Sequence, residues 1–191
     1  MARWEPGARD RLVVAAVDLF AEQGYDATTV AEIADRAGVT KSTFFRYFPD
    51  KRELLVAGQE TLCRLLVDGI TEAPDAASPL EAVAAGLDRA STAMGPMNRE
   101  LGPRLKAAIA ASTELQERDA LKSVGLANAM TDALLSRGVA APLAHLAAEL
   151  GLLAFKNGYT AWMSLEHDEL GLAPHIHAAL EELRAATASL T

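Results

Sequence analysis

Residues 40–51 read TKSTFFRYFPDK. Hydroxyls at Thr40, Ser42, Thr43 and Tyr47 lie among the cations Lys41, Arg46 and Lys51, and aromatic rings fill four of positions 44–48. Donors at this density suit hydrogen bonding to an anionic, oxygen-rich surface, and duplex DNA is such a surface. Hydroxyls, Tyr47 and Lys51 suit phosphate oxygens, contacts that position a protein without reading sequence. In the major groove Thr43 can meet a thymine methyl or a base edge, and Lys41 can reach guanine O6 and N7. No Gly-rich phosphate loop and no G-x-S-x-G elbow competes for a catalytic reading, so no enzyme activity is expected.

Presenting these side chains requires a rigid frame, and the flanking sequence encodes one. Residues 6–23 read as a helix with Leu12, Ala16, Leu19 and Phe20 on one face and Gly24 as its stop. Thr29 and Glu32 form an S/T-x-x-E capping box, starting a short helix at Val30. Gly38 supplies a left-handed stop, and Thr40 caps a following helix that Pro49 ends. Phe44 and Phe48, four apart, share the inward face with Val30, Ile33, Ala37 and Val39. Lys41, Ser42, Thr43, Phe45 and Tyr47 are left outward. Two short helices joined by a Gly-containing turn make a helix-turn-helix.

The stretch TTVAEIADRAGVTKSTFFRYFPDKRELL, residues 28–55, with AAVDLFAEQGYDATTV before it, resembles the amino-terminal DNA-binding domain of the tetracycline-repressor (TetR) family of transcriptional regulators. The specific likeness covers about residues 9–56. It implies an all-helical homodimer, a palindromic operator in double-stranded DNA, and a small-molecule effector that releases the protein from it. By position it implies DNA contacts at Thr29, Thr40, Lys41, Ser42, Thr43, Phe45, Tyr47 and Lys51, with Arg46 in addition. Phe45 stands where the family usually has tyrosine, which removes a hydroxyl from that set. A reading from another class is a protein-interaction module that keeps the helix-turn-helix scaffold and has lost DNA binding.

Charge divides the chain in two. Residues 1–52 hold eight Lys/Arg and eight Asp/Glu, while residues 53–191 carry the whole net charge of −8. The expected division is a DNA-binding domain at 1–50 and a ligand-binding and dimerisation domain at 51–191. A neutral head gains little from nonspecific phosphate neutralisation, so engagement of two half-sites by a dimer is expected. No stretch approaches 18 apolar residues, so no membrane span is expected. The opening MARWEPGARD lacks an apolar signal core. Cys63 is alone, and a reducing cytoplasm is its simplest home.

Alanine and leucine dominate and β-branched runs are scarce, which predicts an all-α chain of about nine helices. Asp50 with Glu53 repeats the capping-box pattern and opens a long fourth helix to about Glu72. Breakers then set helices near 79–94, 97–111, 113–136, 142–167 and 174–189. On 142–167 three stripes follow from 100° spacing. Leu143, Leu146, Leu150 and Leu153 form one. The small residues Ala147, Gly151, Ala154, Gly158 and Ala161 form the second, and Phe155, Tyr159 and Trp162 the third. Together they cover roughly 240° where a surface helix needs about 100°, implying a second chain. The small-residue stripe, with Ile176, Leu180, Leu183, Thr187 and Leu190 on the last helix, is the expected dimer surface. The aromatic stripe, with Leu62, Cys63, Leu66, Met94, Met97 and Met130, either walls a pocket for an apolar or aromatic ligand or packs as core. No metal or other cofactor is expected. His175 and His177 lie two apart, on different helical faces, so with His167 and Asp168 they make a poor metal site.

Overall fold

The computed structural model describes residues 7–55, 57–165 and 168–189; Pro6, His167 and Leu190 fall outside them. Every regular element among the described residues is helical, as composition predicted. In order they are α1 (Ala8–Gln23), α2 (Val30–Arg36), α3 (Lys41–Tyr47), α4 (Gln59–Thr71), α5 (Pro79–Ser91), α6 (Pro96–Ala110), α7 (Thr113–Ser136), α8 (Ala141–Met163) and α9 (Ala173–Ala188). A 3-10 turn occupies Lys51–Leu54.

The chain packs as two compact units that do not follow the division expected at Pro49-Asp50. The described residues up to Ala57 join Glu100–Leu121 in the first, and Gly58–Arg99 joins those from Lys122 onward in the second. Helices α6 and α7 therefore each supply residues to both.

In the first unit, α2 starts where Thr29 Oγ1 accepts from the Glu32 amide at 3.2 Å and the Glu32 carboxylate accepts in turn from the Thr29 amide at 2.8 Å. Gly38, at φ +65°, makes the turn, a conformation that costs a residue with a Cβ far more than glycine. Thr40 then caps α3 by accepting from the Thr43 amide at 3.1 Å. Phe44 and Phe48 are buried against Leu12, Ala16, Leu19, Phe20, Ile33 and Ala37, as the spacing predicted. Burying each ring stabilises the unit by about 1.5–3 kcal/mol. Ala108 of α6 and Leu115 of α7 complete this core, and the ion pairs Arg104–Asp18 and Arg118–Glu53 tie the later segment in. The contribution of residues 100–121 has no local sequence signal.

The long fourth helix expected from Asp50 is instead two pieces. Asp50 accepts from the Arg52 and Glu53 amides, but this cap opens only the 3-10 turn. A second turn follows, and Gly58, at φ +87°, is the residue before α4.

In the second unit α4 crosses α5 backbone to backbone. A Cβ on Gly69 would stand 2.6 Å from the Ala85 carbonyl oxygen, and one on Gly86 would stand 2.8 Å from that of Leu66. Helix α8 crosses α9 at Gly158, where a Cβ would meet the Ile176 amide nitrogen at 2.6 Å. Leu62, Leu66, Ile70, Val83, Leu87, Met130, Leu134, Leu152, Trp162 and Ile176 form the core these crossings enclose.

Candidate nucleic-acid interface

Helix α3 presents two opposite faces. Phe44 is fully buried, and its ring meets Phe48 at 5.8 Å and Phe45 edge-on at 5.3 Å. On the outer face Lys41, Ser42, Arg46 and Tyr47 are exposed, and Phe45 keeps 55% of its surface in water. The Arg46 guanidinium lies 5.1 Å over the Tyr47 ring, which orients both. An exposed helical surface of cations, hydroxyls and aromatic rings braced on a buried Phe pair has the chemistry to enter a major groove and hydrogen-bond its walls.

The hydroxyls are more engaged than their spacing suggested. Thr40 and Thr43 share a hydrogen bond of 3.0 Å, and Thr43 is half-buried. The Thr29 hydroxyl donates to Glu32 at 2.7 Å. Bonds from the Thr29 hydroxyl and amide hold the Glu32 carboxyl below its usual range, so this cap is a charged one.

Lys51, expected at phosphate, is turned into the protein. Its Nζ donates to the carbonyl oxygens of Tyr25 at 2.7 Å and Thr28 at 3.1 Å. The same atom stands 4.0 Å above the centre of the Tyr25 ring. The Tyr25 hydroxyl in turn donates to Glu114 at 2.9 Å. Sequence reading missed Tyr25, whose partners lie far away in the chain.

In the second unit, the residues expected to wall a pocket come together in one core. Leu62, Leu66, Met130 and Trp162 are buried, and Cys63, Met94, Phe155 and Tyr159 pack against them; Met97 is half-buried. Phe155 and Tyr159 stack nearly parallel at 6.1 Å. The Tyr159 hydroxyl donates to the Asn98 carbonyl at 2.8 Å, and burial pushes its pKa up to about 12. Burial also raises the Cys63 thiol. A groove of about 380 Å³ lies elsewhere, lined by Leu80, Ala84, Leu143, Leu146, Leu150 and Arg184 among others.

The expected dimer surface needs correction. Ala147, Gly151, Ala154 and Gly158 of α8 and Ile176 and Leu180 of α9 are already buried within a single chain. A Cβ on Gly151 would collide with Val83 of α5, and Gly158 is taken by α9. Small residues bring neighbouring helices of the same chain together here. Of that set Ala161 is exposed and Leu183 half-buried. The open surface of α8 is the leucine stripe: Leu143, Leu146 and Leu153 are 49%, 54% and 43% exposed. The two histidines part company, His175 facing Asp168 at 3.7 Å and His177 facing Asp88 at 2.6 Å.

Fold and outer surface together define a helix-turn-helix domain. The description of bacterial regulatory proteins of the tetR family matches residues 12–57, and through this segment the chain is similar to that family. It is 40% identical over 65 residues to the HTH-type transcriptional activator FasR of Mycolicibacterium smegmatis, covering 34% of this chain and 30% of FasR. It is 32% identical over 130 residues to the HTH-type transcriptional repressor KstR of Rhodococcus jostii, covering 65% of this chain and 60% of KstR. The chain thus spans less than two thirds of either relative. A TetR-family transcriptional regulator of Syntrophomonas wolfei shares the fold, with a TM-score of 0.63, 20% identity and 96% of each chain covered. No helix among the described residues is long and apolar enough to cross a membrane.

Proposed function

We propose that this chain is a cytoplasmic transcriptional regulator, a repressor, which binds a palindromic operator as a homodimer and is released by a small apolar or aromatic ligand. The observation that carries the reading is α3 itself. Its Phe44 is sunk in the core while Lys41, Ser42, Phe45, Arg46 and Tyr47 stand exposed on a helix fixed by two caps. Lys41 and Thr43 are assigned to base edges, and Thr29, Thr40, Ser42, Phe45, Arg46 and Tyr47 to the backbone of the duplex.

The dimer is assigned to the leucine stripe of α8, where Leu143, Leu146 and Leu153 are exposed and Leu150 is half-buried. The four fall at intervals of three, four and three, the spacing of a helix-pairing seam. A two-fold axis through it makes an isologous contact. Two heads on one duplex face must sit about 34–36 Å apart, and a ligand preferring another spacing by about 1–3 kcal/mol changes operator affinity roughly 5- to 150-fold. The ligand is assigned to the apolar core around Leu62, Cys63, Leu66, Met94, Met97, Met130, Phe155, Tyr159 and Trp162. Few charges reach that region, which favours an apolar or aromatic molecule. Because α6 and α7 supply both units, they are the assigned route of communication.

The test is selection of binding sites from a random duplex pool, repeated with Lys41→Ala and Thr43→Ala. A palindrome whose base preferences relax in the variants supports the reading. No enrichment at low salt overturns it in favour of a docking module built on the same scaffold.

A further inference from the structure

The Lys51 ammonium occupies an internal seat. Two of its three donors are directed at the Tyr25 and Thr28 carbonyl oxygens, and the face of the Tyr25 ring lies beneath it. The partners are 26 and 23 residues earlier in the chain. They close the loop leading into α2, whereas Lys51 opens the 3-10 turn just after α3. The whole helix-turn-helix, from Thr29 to Phe48, is therefore bracketed by one side chain.

The seat is built from both sides. Tyr25 is buried and packs edge-on against Phe20 at 5.1 Å. Thr28 is 2% exposed, its hydroxyl donates to the Gly24 carbonyl at 2.7 Å, and its amide donates to the same Tyr25 oxygen that Lys51 uses. An ammonium held by two carbonyls and an aromatic face in a half-buried position is strongly oriented, because bonds to charged donors are the strong ones. We propose that Lys51 is a positioning residue for DNA reading: it clasps the two ends of the helix-turn-helix and so holds α2 and α3 in the geometry that meets the duplex. The inference rests on the DNA-binding reading, and it assigns to Lys51 work other than a direct phosphate contact.

The experiment compares the full-length chain with its Lys51→Met variant, below the unfolding transition of both, on the selected operator across a salt series. Thr28 amide exchange is measured in parallel on the free proteins. The clasp predicts operator affinity lower by about tenfold or more, an unchanged slope of log affinity against log salt, and faster Thr28 exchange in the variant. A Lys51 that met phosphate directly would instead lower the slope by about 0.9 for each phosphate it ceases to neutralise and leave Thr28 exchange unaltered, which overturns the proposal. A variant that melts earlier yet binds operator as the wild type does also overturns it, since the clasp would then serve stability alone. If the wild type selects no DNA, the functional reading falls first, whereas failure of the clasp alone leaves wild-type binding intact.

Discussion

Replacing Leu146 with glutamate tests the leucine seam of α8 most directly. Leu146 is 54% exposed in the single chain, so about half of its burial free energy is still to be gained. Full burial of a leucine is worth roughly 2 kcal/mol, leaving about 1 kcal/mol per copy for the interface. A two-fold contact doubles the loss to about 2 kcal/mol, and a carboxylate stranded in an apolar seam adds a penalty of the same order or larger. The dimer dissociation constant should then rise at least about 30-fold. Helical content should be unchanged, because the side chain is half in water before the substitution. Sedimentation equilibrium over a concentration series reads the constant, and operator titration reads its consequence for DNA. A mass and an operator affinity equal to those of the wild type would refute the assignment of the dimer to this stripe.

Three further substitutions probe the packing within the two units. Phe44→Ala removes the fully buried anchor of α3 and should cost about 3–5 kcal/mol in a denaturant titration. Gly158→Ala places a Cβ against the α9 backbone, and the overpacking should cost about 1–3 kcal/mol by the same measurement. Asp168→Asn tests a carboxylate that burial pushes up and that bonds to the Leu170 amide, the Trp162 indole and the Gly171 amide hold down; the bonds prevail, and its pKa is lowered. A lowered folded pKa means that the unfolded chain binds the proton more readily. The contribution is therefore present above the ordinary aspartate value of about 3.9 and is lost as pH falls through the folded value. Denaturation midpoints of wild type and variant should differ at pH 6 and converge in acid; a constant difference would contradict the assignment.

The capped helix-turn-helix was legible because its signals are local. The Thr29–Glu32 box, the Gly38 turn, the Thr40 cap and the Phe44–Phe48 pair each act within a few residues, and each appears as read. Spacing on α8 sorted its faces correctly but could not say what covers them. Glycines permit close approach by any helix, and Val83 and Ile176 of the same chain take that space at Gly151 and Gly158. The seat of Lys51 was not legible, since it depends on carbonyls more than 20 residues away. The break before α4 carried one signal, Gly58, which a capping pattern at Asp50 and Glu53 outweighed. Residues 100–121 looked like any other amphipathic helix segment, and only tertiary packing assigns them.

That last feature bears on how such a head can be exchanged between proteins. Its core is not closed by residues up to Ala57: Ala108 and Leu115 are part of it, and Arg104 and Arg118 reach Asp18 and Glu53. A recombination event that transplanted only the contiguous amino-terminal cassette would leave the recipient to provide a fitting small side chain, a fitting leucine and two suitably placed guanidiniums. On the proposed DNA-reading role, specificity for a new operator is reached more readily by changing the outer face of α3, where Lys41, Ser42, Phe45, Arg46 and Tyr47 are exposed, than by replacing the head as a block.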